Sequence, residues 1–60
     1  MQKELTITKN GCCLTIRTEG GRVYPQATGK VPKALDKAIN EIHGLVMLPE
    51  QAMSLLKPQI

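Results

Sequence analysis

Two tight-turn dipeptides, Asn10-Gly11 and Gly20-Gly21, constrain the first half of this chain more than any other feature. Both favour the positive φ angles of two-residue hairpin loops, whose twist matches that of the flanking strands. Counting outward from each turn gives a strand register, and the two registers agree. Both place Leu14 and Ile16 on one face and Arg17 on the other. The turns therefore predict an antiparallel sheet with one apolar and one polar face.

The alternation of apolar and polar residues predicts strands over residues 3–8, 12–18 and 22–27. Pro25 has no amide proton for a ladder hydrogen bond, so the third strand belongs at a sheet edge. A meander in the order 1-2-3, spanning residues 3–28, satisfies this constraint. Its apolar face is expected to collect Leu5, Ile7, Leu14, Ile16, Val23, Pro25 and Ala27.

After residues 28–30 the apolar period changes from two to about 3.6, which predicts a main helix near residues 32–43 within the segment 31–44. Pro32 suits its first turn and Gly44 its C-terminal cap. Its apolar stripe comprises Val31, Ala34, Leu35, Ala38, Ile39, Ile42 and either Leu45 or Val46. A second short helix is expected over 49–57, between Pro49 and Pro58. The prediction is an α+β fold in one small domain, residues 1–60: a three-stranded antiparallel β-meander, packed on one face by the main helix and followed by the short one.

Length and composition limit the core. A chain of 60 residues buries about 60% of its unfolded surface. This one has no Phe or Trp and a single Tyr. Several late apolar residues exceed what one helix buries: Met47, Leu48, Met53, Leu55, Leu56 and Ile60. They are expected to seal the core, or else to leave an apolar patch for a partner or a second copy of the chain.

Nothing in the sequence indicates catalysis, a metal or another cofactor. Gly29-Lys30 lacks the remainder of a phosphate-binding loop. His43, the only histidine, is expected to interact with the carbonyls at the end of the main helix. Cys12 and Cys13 are adjacent, which disfavours a disulfide between them and lacks the spacing of a zinc site. We therefore expect a non-enzyme in a reducing compartment, the cytoplasm, with no membrane segment and no small-molecule substrate.

The polar face of the sheet is the strongest candidate for a binding surface, although a plain solvated face is the alternative interpretation. Tyr24, the only aromatic side chain, is predicted to face solvent there although the core lacks aromatic bulk. Tyr and Arg are enriched in binding hot spots. The predicted binding residues are Arg17, Arg22, Tyr24 and Gln26 on the sheet, with Lys30 and Lys33 where the chain enters the main helix.

The order of three strands and one helix over residues 3–44 resembles the DNA-binding domains of ethylene-response factors and the arm-binding domains of tyrosine recombinases. In those families the sheet lies in the major groove, so the resemblance implies DNA recognition by the polar face. The likeness rests on element order alone, because this polar face has one Arg from the middle strand, one at a turn and several threonines, where those domains carry several Arg and aromatic residues.

Eight Lys and Arg against five Asp and Glu give a formal charge of +3, which falls short of the basic stripe of many nucleic-acid binders. The sequence therefore predicts a small non-catalytic binding module, an accessory regulator or inhibitor that contacts a protein partner or forms a homodimer. The alternative is a module that binds DNA, with or without sequence specificity.

Overall fold

A computed structural model describes residues 3–60 and confirms the α+β fold with the strand order predicted. The first two residues of the domain expected over 1–60 lie outside this range. The strands are β1 (Lys3–Lys9), β2 (Cys12–Glu19) and β3 (Arg22–Gly29). The helices are α1 (Lys33–Ile42) and α2 (Pro49–Leu56), and a 3-10 turn (Lys57–Gln59) follows α2. No helix among residues 3–60 is long and apolar enough to cross a membrane.

The strand register agrees with the one derived from the turns. Leu14 of β2 lies opposite Ile7 of β1 and Ala27 of β3. At the first turn Asn10 and Gly11 have φ angles of 53° and 79°, as a two-residue hairpin loop of this kind requires. Each strand runs one or two residues further than predicted, because pairing continues up to the turn residues.

Both helices cover the apolar face and enclose the core. The core residues are Cys12, Leu14 and Ile16 of β2, Val23 of β3, Leu35 and Ile39 of α1, and Ala52 and Leu56 of α2. Met47, Met53 and Ile60 are half-buried against this cluster. These late residues therefore seal the core, as one of the two alternatives predicted, whereas Leu48 and Leu55 remain exposed.

Helix α1 is shorter than predicted at both ends. Pro32 has an extended conformation (φ −63°, ψ 148°) and precedes the helix as its N-cap. At the other end Gly44 has φ +82°, and its amide donates to the carbonyl of Val23 on β3. Helix α1 therefore ends where the chain begins to form hydrogen bonds with the edge of β3. Two parts of the predicted helical stripe are wrong: Ala34 is exposed, and residues 45 and 46 lie beyond the helix.

Helix α2 is tied to the first strand by an exposed ion pair between Lys3 and Glu50. The hydrogen bond from Lys3 is the main cause that lowers the pKa of the Glu50 carboxyl. Because the pKa is lower in the folded state than in the unfolded state, the pair contributes its full stabilisation at pH values above the ordinary pKa of a glutamate. This contribution is lost as the pH falls through the lowered pKa. Because both side chains are exposed, the gain in stability is small.

Gly29 is the glycine with the least room. It has φ +84°, and a Cβ placed there would lie 2.4 Å from the carbonyl oxygen of Gly11. That same oxygen accepts a hydrogen bond from the amide of Lys30 at 3.0 Å, so it is held where it is. The close approach brings the end of β3 against the first turn and directs the chain toward α1.

We expect Gly29→Ala to destabilise the fold distinctly more than Gly20→Ala. Gly20 also has positive φ (+59°), but a Cβ there meets nothing within 4 Å. Its substitution adds only the backbone strain of about 1–2 kcal/mol for a left-handed residue. Gly29→Ala adds a clash with backbone atoms to the same strain. Urea unfolding followed by circular dichroism measures both free energies, and equal losses would contradict the close approach of Gly29 to Gly11.

Candidate functional site

Three of the six predicted binding residues lie together on the polar face. Arg17 of β2 lies directly opposite Tyr24 of β3, and Gln26 follows two residues along the same strand, opposite Thr15. Arg17 and Gln26 are exposed. Neither helix of residues 3–60 packs across this face, so the three side chains share one surface, as the register predicts.

Tyr24 is less accessible than predicted, because His43 contacts it. The two rings pack edge to face, with centroids 5.4 Å apart and an interplanar angle of 76°. Tyr24 is consequently half-buried rather than facing solvent freely. His43 is the C-cap of α1, and the predicted role of its ring at the helix carbonyls is replaced by this aromatic contact. Such a contact contributes about 0.5–1.5 kcal/mol and fixes the tyrosine ring in place.

The concave surface around Tyr24 carries charges of both signs. Its volume is about 590 Å³, and it is lined by Lys3, Glu4, Arg17, Thr18, Glu19, Tyr24, Pro25, Gln26 and His43. Two acidic and two basic side chains border the same hollow, and Glu4 lies directly opposite Arg17. Opposite charges at this spacing largely cancel one another, so this surface does not focus a field that would attract a polyanion.

The other three predicted residues do not line the hollow around Tyr24 that is described above. Arg22 donates from its guanidinium to the carbonyl oxygen of Gly44 at 2.8 Å. Lys30 follows the far end of the eight-residue strand β3, about 25 Å from Arg22. Its aliphatic chain lies over Gly11. Lys33 lines an open groove between β3 and α1. Gln26 and His43 line both this groove and the hollow around Tyr24, so of the six residues Lys30 is the one placed far from the others.

The same groove is bordered by Asp36 and His43, a pair relevant to the prediction that the chain has no catalytic site. They are seven positions apart, which places their backbones about 10 Å apart along the helix axis. Within residues 3–60 no hydrogen bond joins the two side chains. The prediction of a non-enzyme stays a prediction.

A further surface was missed in part by the sequence interpretation. The segment after Gly44 runs antiparallel to the start of β3, and Val46 pairs with Arg22. The amide of Val23 donates to the carbonyl of Leu45 at 3.0 Å, and the amide of Met47 donates to that of Gly21 at 3.1 Å. We refer to residues 45–48 as the edge strip. Its signal in the sequence is an apolar run of four between a glycine and a proline, a strand pattern that the helical period obscured.

The geometry of the edge strip leaves one residue open to pairing. The two hydrogen bonds flank the Arg22–Val46 pair, so this is a non-hydrogen-bonded pair of an antiparallel ladder. The N–H and C=O of Val46 consequently point away from β3. Since opposite residues share a face, the Val46 side chain projects on the polar side of the sheet, and Leu45 and Met47 project on the helix side.

Apolar side chains are concentrated at this edge. All four large apolar residues that the described chain leaves exposed lie on the edge strip or on α2: Leu45 (46%), Val46 (75%), Leu48 (62%) and Leu55 (52%). We call these four residues the apolar patch. Beside it runs a shallow groove of about 480 Å³, lined by Met47, Glu50, Gln51, Ser54 and Leu55. The patch itself bears no charge.

Comparison with known proteins adds no family assignment, because the chain gives no significant match to a protein-family model, a curated protein or a solved structure.

The bond from Arg22 to Gly44 makes a structural role for Arg22 testable. We expect Arg22→Ala to lower the free energy of unfolding by about 1 kcal/mol, because the edge strip loses a charge-assisted hydrogen bond at its start. Lys37→Ala removes a similarly long charged side chain from the exposed face of α1 and is expected to change stability by less than about 0.5 kcal/mol. Urea unfolding measures both, and equal effects would exclude this role for Arg22.

Proposed function

We propose that this chain is a small non-catalytic binding module that acts by contacting protein through the apolar patch. The observation that carries the proposal is the edge strip: three exposed apolar side chains stand on a sheet edge where Val46 also presents an N–H and a C=O that pair with nothing in residues 3–60. An edge of this kind offers apolar surface and backbone hydrogen bonds together, the combination by which extended partners bind a sheet.

Leaving these residues exposed reduces the apolar surface that so small a protein can bury in its core. The core is built from a few aliphatic side chains and no Phe or Trp, yet four large apolar residues remain outside it. Their exposed surface sums to on the order of 400 Å², with Val46 on the polar side of the sheet and Leu45 on the helix side, and large exposed apolar areas mark interaction sites. Sheet edges are usually protected by short length, charged residues, bulges or proline, and this strip is short, with one bridge to β3 and Pro49 directly after it, but it contains no charged residue. A binding partner accounts for the exposed apolar side chains on this uncharged edge.

Charge favours protein over DNA as the partner. The alternative, DNA binding by the polar face, relies on Arg17, Tyr24 and Gln26. Glu4 and Glu19 lie beside them, and His43 covers part of the tyrosine. Lys30 follows the far end of β3, and Lys33 lies in the neighbouring groove, which it shares with Gln26 and His43. Contacts to phosphates require several cations on one surface, and this face brings together too few.

A module that binds without catalysis would regulate or inhibit its partner by occupying part of its surface. As part of the same proposal we place the protein in the cytoplasm. Both cysteines are free, with Cys12 in the core and Cys13 half-buried, and free cysteines are typical of a reducing compartment.

Photocrosslinking tests the proposal in cells that express the protein. The photoreactive residue p-benzoylphenylalanine replaces Val46, Tyr24 or Lys9 in three separate variants, and adducts are identified by mass spectrometry after irradiation. Val46 samples the edge strip, Tyr24 the polar face, and Lys9 is an exposed control at the opposite end of the sheet. We expect protein adducts from position 46, at least tenfold above those from position 9.

The result also separates the two candidate functions. Adducts of nucleic acid from position 24, without protein adducts from position 46, would contradict the proposal and favour DNA binding. A uniform low yield from all three positions would contradict it as well, because a bound edge strip holds its partner within reach of the probe.

A further inference from the structure

We infer that the partner of the edge strip is a second copy of this chain, joined by antiparallel pairing of the two strips about a two-fold axis at Val46. This inference rests on the proposed function, because it names the occupant of the same apolar patch. It follows from the hydrogen-bond geometry at Val46, from the distribution of charge around it and from the groove beside it.

Val46 is self-complementary. Its N–H and C=O both point outward from the sheet, since the flanking residues make the bonds to β3. In an antiparallel ladder two opposed residues of this type exchange both hydrogen bonds, one in each direction. A two-fold axis between Val46 and its copy satisfies both groups on both chains at once. The two three-stranded sheets would then continue into each other through the strips.

The same register brings apolar groups together on both sides of the sheet. On the polar side the two Val46 side chains meet across the axis. On the helix side the Leu45 of one chain lies opposite Met47 of the other. Met47 lines the shallow groove that continues to Leu55. The groove thus has a suitable occupant in the Leu45 side chain, which is 46% exposed in the single chain.

Charge permits the contact between identical chains. Each copy carries a formal +3, so a contact through charged surfaces would be repulsive. The edge strip has no charged residue, and the nearest cation along the ladder is Arg22 on the neighbouring strand. Three strand spacings separate the two Arg22 positions in the paired sheet, about 14 Å. This exceeds the screening length of about 8 Å at physiological ionic strength.

The size of the contact indicates a weak dimer. The four residues of the apolar patch expose on the order of 800 Å² on two chains together, which sets the upper limit of their share in the contact below the roughly 1,000 Å² at which specific interfaces begin. The dimer should therefore dissociate on dilution, and the protein must be measured over a wide concentration range.

Light scattering after size exclusion tests the inference on the purified full chain between about 10 µM and 1 mM. We expect the mass to rise from one chain to two over this range. Val46→Asp places a charge at the axis and should weaken the association at least tenfold. Its side chain is 75% exposed, so the fold should tolerate the change, and circular dichroism verifies this. Lys37→Asp, a charge reversal on the exposed face of α1, is the matched control and should leave the dimer intact.

A disulfide tests the register directly. Opposed residues of a hydrogen-bonded antiparallel pair have Cα atoms about 5.5 Å apart, a distance that a disulfide can span. In a Cys13→Ser background, Val46→Cys should oxidise to a covalent dimer, and Lys9→Cys should not. A chain that stays monomeric at 1 mM would overturn the inference, as would a dimer that Val46→Asp leaves intact or equal crosslinking from position 9.

These outcomes are separate from those of the proposed function. A monomer whose position 46 forms photoadducts with other proteins would retain the protein-binding function and remove the second copy as the occupant. Photoadducts of twice the chain mass, obtained from position 46 in cells, would support the protein-binding function and the second copy as its occupant.

Discussion

The pairing of β2 with a neighbour on each side is the interaction on which the rest of the structure depends. Two tight turns fix both ladders, and the ladders assign every side chain of the meander to a face. The central strand then contributes three fully buried residues, Cys12, Leu14 and Ile16, around which both helices pack. A slip of one residue in either ladder would turn this apolar set toward solvent, so the turns determine the core as well as the topology.

The position of the candidate binding surface follows from the same arrangement. Both helices lie on the apolar face, which leaves the polar face uncovered except where His43 meets Tyr24, and leaves the outer edge of β3 to be closed by another segment. Residues 44–47 close its first half, and in doing so they present a new edge at Val46. The edge strip is therefore a consequence of how the chain passes from α1 to α2. The edge strip carries exposed apolar side chains at the position where the sheet edge can still pair with another strand.

The sequence was sufficient for the parts of the fold that rest on local chemistry. The turn dipeptides predicted the register of all three strands. The position of Pro25 predicted that β3 lies at an edge of the sheet. The residues after Gly44 were beyond this kind of reasoning. Leu45 and Val46 fit a helical period equally well. Their extended conformation is decided by the N–H and C=O of Val23, distant in sequence, which bond to Leu45 and Gly44. The contact between Tyr24 and His43 depends on the path of α1 across the sheet, which no local pattern specifies. Arg22 was predicted as a ligand-binding cation, but the carbonyl of Gly44 lies within its reach only in the folded chain.

Amide hydrogen exchange followed by NMR tests the central claim, that the edge strip is docked on β3 and open for pairing on its other side. In dilute protein the amides of Val23 and Met47, which donate across this ladder, should be protected, and the amide of Val46 between them should exchange freely. Raising the concentration should protect Val46 selectively. If Met47 exchanges as fast as Val46, the strip is not docked on β3. If Val46 is already protected at high dilution, its edge is not open.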